Sequence, residues 1–128
     1  MSVEVVIRQP AKDCQLLAVA GEVDLESVGQ FEQAARQAME AQPRAILVDM
    51  TKTPYMGSCG IRVLLDLSMQ MERQSGQLVL IGASGGVLAA LELVGLTEML
   101  TMVETEAQAL QLLRITPEQQ TAGQSGTK

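Results

Sequence analysis

The sequence predicts an α/β fold: a mostly parallel sheet of about five strands, opened by an N-terminal β-hairpin, with about four helices. Three observations predict it. Short apolar runs alternate with segments of helical period, and strands separated by helices need right-handed crossovers that leave them parallel. The first two apolar runs have only a polar turn between them, which makes them antiparallel neighbours. Finally, 128 residues at 47% hydrophobic content supply one core of useful size and no second one.

Taken in order, Val3 to Arg8 reads as a strand, and Gln9-Pro10-Ala11-Lys12-Asp13 as a polar turn. Cys14 to Gly21 (CQLLAVAG) is the second strand of the hairpin. Asp24 stands at an N-cap position ahead of Leu25, Val28, Phe31, Ala35 and Ala38 at helical spacing. Pro43 stops that helix. Ala45-Ile46-Leu47-Val48 is apolar throughout, the pattern of a strand covered on both faces, and Asp49 and Met50 end it. Thr51 to Gly60 (TKTPYMGSCG) reads as a loop, because Pro, two Gly and small hydroxyl residues crowd into it.

The helical period returns from Ile61 through Leu64, Leu65, Ser68 and Met71 to Gly76. Gln77 to Ile81 is a strand, Gly82-Ala83-Ser84-Gly85-Gly86 a turn, and Val87, Leu88, Leu91 and Val94 belong to a small helix that Gly95 stops. Met99 to Val103 is the last strand. Thr105 and Gln108 have capping-box spacing before Ala109, Leu110 and Leu113. Residues 1–116 therefore form one domain. The tail from Pro117 to Lys128 has no apolar anchor and is expected to be disordered.

Composition excludes much chemistry. With no histidine, the chain has no His general base, no Ser-His-Asp or Cys-His nucleophile and no His-bearing zinc site. Two cysteines cannot build a four-thiolate cage, so no metal or cofactor is expected. Nine basic against fifteen acidic residues give a net charge of −6, without a Lys/Arg run, which argues against nucleic acid. One Phe, one Tyr and no Trp leave no stacking platform. The start, MSVEVVIRQP, lacks the n- and h-regions of a signal peptide, and no apolar stretch is long enough to span a bilayer. The expectation is a cytoplasmic protein in which Cys14 and Cys59 are free thiols.

Candidate chemistry gathers after the parallel strands. The Gly82–Gly86 turn lacks the lysine and spacing of a phosphate loop, so nucleotide binding competes there with a plain strand-to-helix turn. Gly57-Ser58-Cys59-Gly60 sits at a helix start, where N–H groups and the dipole favour an anion. Ser58 reads either as a site for a phosphoryl switch or as the helix N-cap. Cys59 reads either as a nucleophilic or redox thiol or as a small packing residue. Arg62 could steady a phosphate or an acidic partner residue, or be solvated. Met50, Met56, Met69, Met71, Met99 and Met102 fill a core or line an adaptable groove. Tyr55 and Met56 beside a glycine turn read as contact residues or as packing.

Three stretches together resemble the STAS domain family, whose best-known members are bacterial anti-sigma factor antagonists. Leu17 to Asp24 (LAVAGEVD) is similar to the family's apolar strand followed by G-E-L/V-D. Ala45 to Met50 followed by Tyr55 to Ile61 (YMGSCGI) is similar to its strand and D-S-S/T-G-[L/I] loop. Gly76 to Gly82 with Leu93 to Leu96 is similar to its fourth strand and third-helix exit. The resemblance covers residues 3–114 and implies a five-stranded sheet with helices mainly on one side.

It also implies a non-enzymatic module of partner switching. In the family, a kinase that is also the anti-sigma factor phosphorylates the loop's second hydroxyl residue, and the unmodified domain binds it. Carried over, the phosphoacceptor-equivalent position is Cys59 and the family's Asp position is Gly57, both departures. Gly60, Ile61 and Asp24 fit. Regulation, if retained, would fall on Ser58, Thr53 or Thr51. The implied partner surface is Asp24, Thr53, Tyr55, Met56, Gly57, Ser58, Cys59, Gly60, Ile61 and Arg62, and the implied partner an anti-sigma factor or related serine kinase, with the oligomeric state open between monomer and weak dimer. The alternatives are a scaffold subunit of a transporter-associated or sensory assembly, and a redox or acyl-transfer protein using Cys59.

Overall fold

A computed structural model describes residues 3–116; the tail expected to be disordered lies outside them. The elements follow the order β1 (Glu4–Ala11), β2 (Cys14–Ala20), α1 (Val28–Glu40), β3 (Ala45–Lys52), α2 (Ser58–Arg73), β4 (Gln77–Ile81), α3 (Gly85–Leu93), β5 (Thr101–Val103) and α4 (Glu106–Leu113). They build one five-stranded sheet in the order β1-β2-β3-β4-β5. Only β1 and β2 pair antiparallel; the remaining pairs are parallel. This is the α/β architecture that the alternation of runs predicts.

Each face of the sheet is covered. Leu17, Val19, Ile46, Val48, Met50 and Leu80 meet Phe31, Ala35 and Ala38 of α1, Leu64, Leu67 and Met71 of α2, and Val87 and Leu91 of α3. The opposite face carries Cys14, Leu16, Leu47, Val79 and Ile81 under Ala109 and Leu110 of α4. Three helices on one side and one on the other explain why the middle strands are apolar without alternation. The capping box of α4 is formed: the Thr105 hydroxyl accepts from Gln108 N, and the Gln108 side chain accepts from Thr105 N. Such a cap stabilises a helix by about 1 kcal/mol.

Element boundaries correct the sequence reading in several places; α3, for one, begins at Gly85, inside the stretch read as a turn. β1 continues through Gln9 and Pro10 to Ala11, leaving only Lys12 and Asp13 in the turn, with Asp13 at φ 61°. Proline is tolerated because β1 is an edge strand and its register shifts between Arg8 and Ala11. β3 runs past Val48 to Lys52, because β2 still pairs there, Ala18 with Asp49 and Ala20 with Lys52. α1 starts at Val28 rather than beside Asp24, since Asp24 closes a separate turn first. α2 starts at Ser58, ahead of Ile61, with Gly57 at the N-cap. β5 starts at Thr101, because Met99 N and Leu100 N both donate back to the Leu96 carbonyl.

Candidate functional site

Two loops at the carboxyl ends of β2 and β3 are joined by their backbones. Val23 N donates to the Tyr55 carbonyl at 3.1 Å, and Gly57 N donates to the Val23 carbonyl at 2.8 Å. Val23 and Met56 thus form a parallel bridge outside the named strands. A third bond, from Gly21 N to the Lys52 carbonyl at 2.9 Å, extends the seam. Where the β2–β3 register shifts between Ala18 and Ala20, the Thr53 hydroxyl donates to the Val19 carbonyl at 2.8 Å. Gly60 lets α2 close over this junction: a Cβ there would lie 2.5 Å from Met56 Cγ and 2.8 Å from Val23 Cγ1.

The Asp24 loop is folded on itself. Asp24 Oδ1 accepts from Glu26 N at 3.0 Å and Ser27 N at 3.1 Å. The buried Ser27 hydroxyl accepts from Asp24 N at 2.9 Å and lies within reach of the Glu22 carbonyl, 2.9 Å, and Asp24 Oδ1, 3.1 Å. The Ser27 hydroxyl, with the Ser27 and Glu26 backbone N–H groups, holds the Asp24 carboxyl below its ordinary value of 3.8. This carboxylate is therefore charged through the neutral range.

The predicted site residues divide into a surface set and an interior set. Asp24, Tyr55, Gly57, Ser58 and Cys59 line one depression, together with Leu25 and Glu26. Ser58 and Cys59 also border a second, with Arg62 and with Val28 and Glu32 of α1. Ser58 is exposed and occupies the first turn of α2 rather than its cap; Cys59 behind it is half-buried. Arg62 is exposed, and among the described residues the one ion pair within 4 Å is Arg8–Glu106, at 2.7 Å. Met56 and Thr53, 1% and 3% exposed, point inward with Gly60 and Ile61, so these four present no side chain to a partner. Thr51 is exposed at the end of β3 and lines neither depression; its hydroxyl donates to Asp49 Oδ1 at 2.8 Å.

Sequence reasoning missed Leu25. It fits the apolar spacing of α1, yet it stands ahead of the helix and is 84% exposed, next to Tyr55 at 48%. The signal available was its place between Asp24 and Glu26, two residues that favour a turn or helix start over a core stripe. The thiols are both free: Cys14 is buried, and burial pushes it up to about 11, whereas Cys59 reaches the surface depression. The Met set is split in the same way, with Met50, Met56 and Met71 in the core and Met69 and Met99 exposed.

The family model described as the STAS domain matches residues 4–109. The chain belongs to the STAS domain family. Relatives of this STAS domain include the anti-sigma-B factor antagonist of Listeria monocytogenes, 23% identical over 108 residues, which cover 84% of this chain and 95% of that protein. The anti-sigma-F factor antagonist RsfB of Mycobacterium tuberculosis is 29% identical over 98 residues, 74% of this chain and 77% of its own. A solved structure of an anti-sigma factor antagonist from Mycobacterium paratuberculosis superposes with a TM-score of 0.79 at 20% identity, over 88% of this chain and 94% of that one. At that identity the superposition speaks for the fold. No helix among the described residues of the STAS domain is long and apolar enough to cross a membrane.

Proposed function

We propose that this STAS domain is a non-catalytic docking module of the anti-sigma factor antagonist kind. It binds an anti-sigma factor or a related serine kinase through Asp24, Tyr55, Gly57, Ser58, Cys59 and Arg62. The observation that carries the reading is the seam between the two loops: Gly57 N on the Val23 carbonyl and Val23 N on the Tyr55 carbonyl. It fixes Asp24 and the start of α2 in one surface, as a preformed interface requires. The names of the relatives point to the same class of partner.

Docking is constitutive in this reading. Position 59 carries a thiol and position 57 no carboxylate, so the helix start never receives the dianion that a serine ester would place there. Were a hydroxyl modified, Ser58 would be the acceptor, because Thr53 is buried on the Val19 carbonyl and Thr51 is held by Asp49.

The test introduces charge without disturbing the fold. A Cβ at position 57 meets nothing closer than 3.5 Å, and φ there is −74°, so Gly57→Arg changes the charge and bulk of the surface and little in the fold. Titrations of the purified chain against the kinase-type partner that it retains should show binding weakened at least about tenfold by Gly57→Arg and by Ser58→Arg, the scale of a like-charge or desolvation penalty in an interface. Wild-type affinity in both variants would refute the placement of the surface. Intact mass after incubation with the partner and ATP should be unchanged; an added phosphate on Ser58 would refute constitutive docking.

A further inference from the structure

We infer that Leu25 anchors this surface: it is a fixed apolar knob within an acidic collar, and it enters a socket on the partner protein that is rimmed by arginine or lysine. The inference rests on the docking reading above and adds to it both the anchor and the chemistry of the partner's face. A leucine exposed to this extent gains most of its transfer free energy only when something covers it. Here it is presented, not left loose. The N–H groups of Asp24, Glu26 and Ser27 are all bonded within the turn, and the Ser27 hydroxyl is buried beneath it. A side chain on so fixed a backbone loses little freedom when covered, which is what makes an anchor effective.

Charge selects the occupant. Asp24 and Glu26, which flank Leu25 in the chain, line the same depression, and Glu22 is exposed two residues before Asp24. The depression that Leu25 shares with Tyr55 and Cys59 has no lysine or arginine in its lining. Such a collar repels phosphate backbones and anionic lipid, which excludes nucleic acid and a membrane surface. It also repels a second copy presenting the same collar. A protein face with cationic residues around an apolar socket satisfies both parts of the patch.

The experiment uses the full chain and the purified kinase-type partner, with affinities measured by titration calorimetry at low and high salt. Leu25→Ala should leave the thermal midpoint unchanged, because the side chain touches little, and should weaken binding at least about tenfold. Leu25→Met should keep affinity within about threefold, as volume-conserving apolar exchanges do. The Glu22→Gln, Glu26→Gln double variant should weaken binding at low salt and flatten its salt dependence. If Leu25→Ala binds within about twofold of wild type while Gly57→Arg weakens binding, the anchor is refuted and the docking reading stands. If neither variant weakens binding, both are refuted. Loss on Leu25→Ala alone supports the anchor and refutes the role of the Gly57 loop. A concentration-dependent dimer of the wild type abolished by Leu25→Ala would overturn the inference in favour of self-association.

Discussion

Two strand-to-helix turns lie side by side at the carboxyl edge of the sheet, one leading from β3 into α2 and the other from β4 into α3. Both are rich in glycine, and both end in an N-cap that makes no side-chain hydrogen bond, Gly57 in one and Ser84 in the other. Their surroundings differ. The first is bonded to the Asp24 loop through Val23, and its Gly60 is pressed against Met56 and Val23. In the second, Gly86 is packed against the Pro54 carbonyl, 2.8 Å from a Cβ built there, but Gly85 has φ +54° and a Cβ there would meet nothing within 4 Å. One glycine is needed for the space it leaves, the other for the conformation it allows. Glycine content alone does not distinguish a position held by packing from one held by backbone conformation.

Substituting alanine at each glycine breaks the comparison most directly. Gly60→Ala must displace Met56 and Val23 and should destabilise the fold by about 1–3 kcal/mol, the range of overpacking. Gly85→Ala has open space and only the left-handed conformation to oppose it, at a cost of about 1 kcal/mol. Urea unfolding curves of the two variants measure the difference; equal losses would mean that the α2 junction relaxes as freely as the α3 turn. The next effect is at Thr53. Thr53→Val keeps the shape and leaves the Val19 carbonyl without its donor, which should lower stability by about 1 kcal/mol, again read from urea midpoints.

The smallest effect concerns acid. Asp24 has a depressed folded-state value, so its contribution to stability is whole above its ordinary 3.8 and is lost as pH falls through the lower value. Asp24→Asn should therefore have a flatter acid limb than wild type below about pH 4, with no change in slope at neutral pH. Thermal midpoints at stepped pH would check it, and parallel limbs would mean that the Asp24 carboxyl titrates alike in the folded and the unfolded chain.

What could be read in the sequence was whatever neighbouring residues decide among themselves. The capping box of Thr105 and Gln108 and the apolar strand from Gln77 to Ile81 need no partner to be recognised, and both stand as read. Asp49, Thr51 and Lys52 are polar, yet they are strand because β2 lies alongside them. Ser58 opens α2 because the Gly57 N–H is already committed to the Val23 carbonyl, a partner 34 residues away by number. Met56 is interior because Gly60 leaves it room. Leu25 matches a core stripe by spacing and escapes it only because the Asp24 turn delays α1. Fold class was therefore legible from local pattern. Half of the site was not, because tertiary bonds decide which loop residues face outward.

The margins of the sheet carry a last consequence. β1 is bent by a register shift at Pro10, which has no N–H to offer, and β5 is a strand of only three residues. Neither margin gives a stranger's backbone a long straight ladder to continue, so growth of the sheet from one molecule into the next is blocked at both ends. On the docking reading, a chain with such margins exposes leucine and tyrosine at its loops without also offering a long free sheet edge.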